Sequence, residues 1–368
     1  MTEYGEDVPG YRTIRVGASQ APVADLADLA AWQAREPYPE VLSAGHPVFG
    51  VAHEREQGGW ELHAGFGCMT PQGSREGMSM TFRRLAARAE QDGDRAAQRE
   101  CLGAAEHLDW EKSDEMTVLG TRYRVVRAER FVRTGPDGPE PPRSTDPDPV
   151  SPSRSARSYD PAAGFVVDPT VPTGMSEAIL KAELLALVRA AGTVPGPVRR
   201  DSRLAAHSHP GGVLLPAAFM VAERIGGRWA PESRTDSSTP QGARDSLALG
   251  LRVMDPVRRG LSPAERTEYA RAADRLDRER GPELSFAGRL LRVVRTERLV
   301  RIGPDGPEGP RPSDFDPELP VLEQDRQLRE QGDDPDEDTP IELDEATQEL
   351  ARLFQAEERR RRDRPGRS

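Results

Sequence analysis

The sequence predicts an α+β fold made of two tandem copies of a β-α-β-β-α-α-β unit. Helices pack on a mainly antiparallel sheet, in a pseudo-twofold arrangement. The first observation behind this prediction is a repeat. Residues 124–143, RVVRAERFVRTGPDGPEPPR, return at 292–311 as RVVRTERLVRIGPDGPEGPR, with sixteen of twenty positions identical and no gap. So close a match within one chain implies an internal duplication. The second is that the match continues upstream in the same order: AAEHLD at 104–109 faces AADRLD at 272–277, TPQGSRE at 70–76 faces TPQGARD at 239–245, and Trp60 faces Trp229. The third is a shared alternation of strand-like and helix-like apolar spacing along both copies.

Taken in order, residues 11–16 have strand composition and end at Gly17. Residues 25–36 carry Leu26, Leu29 and Ala30 at helical spacing, with Trp32 at the edge of the stripe. Their counterparts are a strand at 164–167 and a helix at 176–190, where Ile179, Leu180, Leu184, Leu187 and Val188 make a broad apolar face. Residues 48–54 and 60–65 flank Gln57-Gly58-Gly59 as a β-hairpin, repeated by 218–224, Gly226-Gly227 and Trp229.

Thr70-Pro71 and Thr239-Pro240 each open a helix, because threonine supplies a capping oxygen and proline is tolerated at the first helical position. Met78, Phe82 and Leu85 match Leu247, Leu251 and Met254 along it. A second helix follows, opened in copy two by the capping box Ser262-Pro263-Ala264-Glu265. Cys101 and Tyr269 fall on its apolar face and read as core fillers. The repeated stretch comes last. Val125, Val126, Phe131 and Val132 favour a strand, but arginines at 124, 127, 130 and 133 fit neither period 2 nor period 3.6, which suggests a bulge. Gly135-Pro-Asp-Gly138 is turn chemistry.

The implied organisation is copy one at 9–139, a Pro/Ser/Asp-rich linker at 140–163 and copy two at 164–318. An acidic flexible segment at 319–338 and a C-terminal helix with a basic end at 339–363 follow. The net charge of −11 argues against a nucleic-acid or membrane-surface binder. Lys112 and Lys181 are the only lysines among many arginines, the skew of a GC-rich genome. Cys68 and Cys101 both fall in copy one, which excludes a shared disulfide framework or a four-cysteine zinc site. With no leader-like start and no membrane-length apolar run, a soluble cytoplasmic protein is expected.

Three motifs carry candidate chemistry. His207-Ser-His-Pro210 resembles the HxHP core of JAMM-type zinc metalloproteases, but the following GGVLLPAAFMVAER lacks the family's aspartate, so no metal site is assigned. Arg127, Arg130, Arg295 and Arg298, flanking Glu129 and Glu297, can grip a carboxylate or phosphate. The alternative is a solvated strand face paired with the chain's own acids. In TPQGxR, a helix N-terminus with Gly73 or Gly242 and Arg75 or Arg244 has the parts of an anion site, or of helix capping alone. No triad spacing, phosphate loop or carboxylate dyad stands out, so neither a catalytic residue nor a cofactor is assigned.

The combination TPQG…RVVRxERxVRxGPDGPExPR, present twice, resembles an uncharacterised, domain-of-unknown-function family of GC-rich actinobacteria. That resemblance implies no activity. The expectation is a non-enzymatic cytoplasmic binding or scaffold protein whose copies pair as an intramolecular pseudo-dimer, with an unidentified protein or an anionic small molecule as partner. The alternative is a small-molecule or anion-handling enzyme at the copy–copy cleft.

Overall fold

The apolar alternation of the repeated stretch makes it a strand, and its central place in the fold follows from burial on both faces. A computed structural model of the chain describes residues 9–17, 22–148, 160–188, 193–232, 236–332 and 344–362. The first half runs α1 (Pro22–Ala34), β1 (Glu40–Ser43), β2 (Val48–Glu54), β3 (Trp60–Leu62), α2 (Pro71–Gln91), α3 (Arg95–Trp110), β4 (Glu115–Val118), β5 (Thr121–Gly135) and β6 (Gly138–Pro139). The second runs β7 (Val166–Val167), α4 (Met175–Ala186), α5 (Gly196–Ser208), β8 (Gly211–Ile225), β9 (Arg228–Pro231), α6 (Pro240–Leu249), a π-helical turn (Gly250–Met254), α7 (Asp255–Arg258), α8 (Pro263–Glu279), β10 (Glu283–Phe286), β11 (Arg289–Gly303) and β12 (Gly306–Pro307). Helices α9 (Val321–Gln331) and α10 (Glu345–Arg362) follow.

The described strands form one antiparallel sheet, whose main path is β7-β3-β2-β5-β11-β8-β9. Strands β5 and β11 meet at its centre, with Arg130 opposite Arg298 and Glu129 opposite Leu299. The sheet is covered in the first half by α2 and α3, which pack Met78, Phe82, Cys101 and Leu108 on Phe49 and Val125. Helices α6 and α8, with the π-helical turn after α6, do the same in the second half, through Leu247, Leu251, Tyr269 and Leu276 on Val221 and Leu291. A third cluster joins the halves, with Val48, Trp60, Val126 and Ala128 beside Val213, Leu215, Val300 and Ile302. Among the described residues no helix is long and apolar enough to cross a membrane.

Several expectations are corrected. Residues 11–16 are not a strand: Gly10–Arg12 form a 3-10 turn and Val16 makes only a single bridge, to Thr173. The edge of β5 next to residues 131–134 is taken instead by β1, a strand the sequence did not suggest. Of the predicted strand 164–167 only Val166–Val167 pair, and they pair with β3 of the first half. Helix α5 and the short strands β4 and β10 were also not foreseen. The acidic composition of 319–338 predicts flexibility, yet α9 forms there, supported by Arg326 pairing with Glu323 and Glu330 one turn away on either side. Thr339-Pro340-Ile341-Glu342, whose sequence reads as a capping box opening the C-terminal helix, lies outside the described residues.

The bulge expected in the arginine-bearing strand lies instead in its partner: β11 advances two residues from Thr296 to Arg298 while β8 covers three, from Ala218 to Leu215. Strand β5 itself pairs regularly. Because successive side chains alternate faces, a three-residue arginine spacing puts Arg124 and Arg130 on one face and Arg127 and Arg133 on the other.

Candidate functional site

After β5 the chain turns at Gly135-Pro-Asp-Gly138, and residues 140–148 run as an arm across the second half. Residues 308–316 cross the first half in the same way. The Glu140 carbonyl accepts from the Arg295 amide, and the Glu308 carbonyl accepts from the Arg127 amide, both at 2.9 Å. Both turns need glycine. At φ +106° for Gly138, an added Cβ would sit 2.1 Å from the Trp229 ring nitrogen, and Gly306 meets Trp60 likewise at 2.5 Å. Arg124 then stacks on Trp60 and Arg292 on Trp229, at 4.9 and 4.6 Å from the ring centroids.

The sequence-predicted site residues lie along these arms. Arg127 Nε donates to Asp314 (2.9 Å) and Arg295 Nε to Asp146 (3.1 Å). Arg75 reaches Asp316 and Asp114, and Arg244 reaches Asp148 at 2.6 Å. Each of these arginines therefore binds a carboxylate from the arm of the other half. Thr70 caps α2 as expected, accepting from the Gly73 amide, and Thr239 caps α6 through Gly242. At the α2 N-terminus the Gln72 amide donates to Asp316 at 3.0 Å, so the anion held at this helix start is the chain's own. Arg75, Arg127 and Arg244 are buried and Arg295 is largely so, rather than solvated, because the arms lie over them.

Further charges close each network. Arg311 bonds Glu308 and Glu129, while Arg143 bonds Glu140 and pairs with Glu297. Burial alone would raise the Glu297 pKa; Arg295, Arg143 and Arg133 outweigh it and hold the carboxyl below its usual range. At the centre, Arg130 donates to the His46 carbonyl and to Asp236, whose carboxyl pKa is raised by burial despite that partner. Among the described residues Arg298 hydrogen-bonds only to carbonyls, those of Pro216 and Phe66, and stacks on the Phe66 ring. Desolvation lowers its pKa, offset in part by Asp236 and Asp160.

His207 is exposed near the end of α5, and His209 packs against Gly303, with burial lowering its pKa. Among the described residues, no three histidines, cysteines or acids are grouped to hold a metal.

Sequence reasoning missed a second polar centre, in the first half alone. The β2–β3 hairpin sets His53 Nδ1 3.0 Å from His63 Nε2, and His63 Nδ1 lies 3.4 Å from Thr81 Oγ1 on α2. The Thr81 hydroxyl donates to the Gly77 carbonyl (3.0 Å) and receives Arg84 (3.1 Å). That pattern requires the proton of neutral His63 on Nδ1, leaving Nε2 to accept from His53. Desolvation first, then His53 and Arg84, lower the His63 pKa to about 4. The signal was available: the register pairs Glu61 with His53, so residue 63 lies diagonally across the hairpin from 53, on the same face.

The sequence model of a family of unknown function, DUF5954, matches residues 21–317. Neither a curated protein nor a solved structure matches the chain.

Proposed function

The chain belongs to the DUF5954 family, and on that premise we propose that it is a non-enzymatic binding or scaffold protein made from a duplicated unit. In this reading the two copies pair as an intramolecular pseudo-dimer around the Arg130–Arg298 pairing, in the cytoplasm of a GC-rich actinobacterium. The observation that carries it is the reciprocal exchange of arms, with Asp314 of one half on Arg127 and Asp146 of the other on Arg295. Arginines so neutralised act as a clasp, leaving the outer surface of a stiff platform to meet partners. The same filling weighs against an anion-handling enzyme at the copy–copy cleft, because the candidate anion-binding groups other than Arg298 hold the chain's own carboxylates.

Native mass spectrometry of the protein taken from its own cells tests the reading. The expected result is a partner or anionic small molecule at fixed stoichiometry, unchanged chemically on incubation. Conversion of the bound molecule over time would defeat the non-enzymatic reading.

A further inference from the structure

The two halves make corresponding backbone bonds around the hairpin: the His63 amide donates to the Val51 carbonyl, and the Glu232 amide to the Val221 carbonyl. Phe49 and Cys68 likewise exchange bonds as Phe219 and Ser237 do. At equivalent positions the side chains differ in kind. In the second half Glu223 and Glu232 sit beside Arg289, which bonds Glu223 at 2.8 Å and Asp255 at 3.2 Å, a closed charge cluster. In the first half the same two positions are His53 and His63. Beside them lies an open cavity of about 90 Å³ between α2 and the loop after β3, room for a few waters or one small ion.

No acidic side chain lines this cavity, although the chain carries a net charge of −11. Arg84 stands at its wall without an ion pair among the described residues, and the half-buried Cys68 lines it as well. Ser74 lines it too; this residue is 1% exposed, and its hydroxyl has no hydrogen-bond partner among the described residues. A buried hydroxyl left unpaired costs free energy that an acceptor in the cavity would recover. The corresponding residue of the second half is Ala243, so the hydroxyl is not needed for packing.

We propose that this first-half pocket binds a small oxyanion, a carboxylate or phosphoryl group, with Ser74 and Arg84 as donors and the His53–His63 pair behind it. The ligand then occupies the electrostatic role that Glu223, Glu232 and Asp255 fill in the second half. The proposal deepens the reading of the chain as a binding protein and rests on it. An anion here also opposes what holds His63 neutral. The groups that bear on that ring are His53 on β2, Arg84 on α2 and the Tyr123 ring on β5, at 5.9 Å, none of them negative at neutral pH; the Asp160 carboxylate beside the following loop is held by the Gly65 amide. Binding therefore draws a proton onto the imidazole pair.

Histidine-ring NMR titration of the full-length chain tests this, using inorganic phosphate and acetate in separate arms with chloride as control. Saturable binding of either anion, with the His63 pKa moved up from about 4, is expected, and the better arm identifies the ligand's headgroup. Ser74→Ala and Arg84→Gln should each weaken binding by about tenfold or more, while Arg203→Gln on α5 leaves it unchanged. Absence of saturable binding to either anion, or equal binding by Ser74→Ala and Arg84→Gln, overturns the site. If that happens while the intact chain still carries a cellular partner, the binding-protein reading survives its loss. Turnover of a phosphate ester at an otherwise confirmed pocket would remove the non-enzymatic reading and keep the site.

Discussion

Arg130 lies directly opposite Arg298 in the β5–β11 ladder, two buried guanidiniums facing each other with one carboxylate, Asp236, bonded to the first. Like charges across a ladder are unfavourable, and the fold manages them unequally. Arg130 has an ion pair and a carbonyl, while Arg298 has three hydrogen bonds to carbonyls. Arg130→Met should therefore cost more stability than Arg298→Met, since it strands Asp236 in a buried site. The raised pKa of Asp236 adds a signature: in Arg130→Met the carboxyl can protonate, so the penalty should shrink as pH falls. Urea unfolding of both variants across pH checks the order and the trend.

The clasp pairs are the strongest determinants of stability in this account. The Arg127 and Asp314 side chains are 6% and 5% exposed. Removing Asp314 leaves buried Arg127 to Glu129, and removing Asp146 leaves Arg295 to Glu297; losing the principal partner of a buried ion pair costs about 3–5 kcal/mol. Asp314→Asn and its counterpart Asp146→Asn should each fall in that range, and Arg127→Met with Asp314→Leu should recover much of the loss. A double-mutant cycle by chemical denaturation reads the coupling.

Gly138→Ala and Gly306→Ala should each destabilise, because left-handed backbone strain adds to a clash with Trp229 or Trp60. Tryptophan fluorescence should shift with them, as the ring that packs on each turn is displaced.

His63 makes stability fall with acid. Its folded pKa of about 4 lies below the ordinary 6.5, so between these values the unfolded chain binds the additional proton. Stability from this residue is complete above pH 6.5 and is lost as pH falls toward 4. His63→Gln should flatten the melting-temperature profile in that window, relative to the parent chain.

Much of this was legible before the structure. The cap at Thr70, the Gly58–Gly59 hairpin and the box at Ser262 depend on bonds within a few residues, so the local sequence carries them. Strand β1 and the loss of a strand at 11–16 were not, because they depend on which segment reaches the free edge of β5, a long-range competition. The arginines were recognisable as an anion-gripping set, but not their partners. Asp146 and Asp148 recur as Asp314 and Asp316, three and five residues beyond the matched Arg143 and Arg311. Extending the comparison by five residues would have exposed both arms; the Pro/Ser/Asp-rich composition of 140–163 instead suggested a loose linker. The His53–His63 centre was hidden because only one half has it, and a repeat directs attention to what is shared.

The central claim is that the halves are held together by exchanged arms, and reassembly tests it most directly. The chain is produced as two fragments, 1–151 and 152–368, and mixed at equal concentration. The expected result is a one-to-one complex on gel filtration that Asp146→Asn with Asp314→Asn dissociates. Fragments that are each stable alone and elute separately when mixed would contradict it.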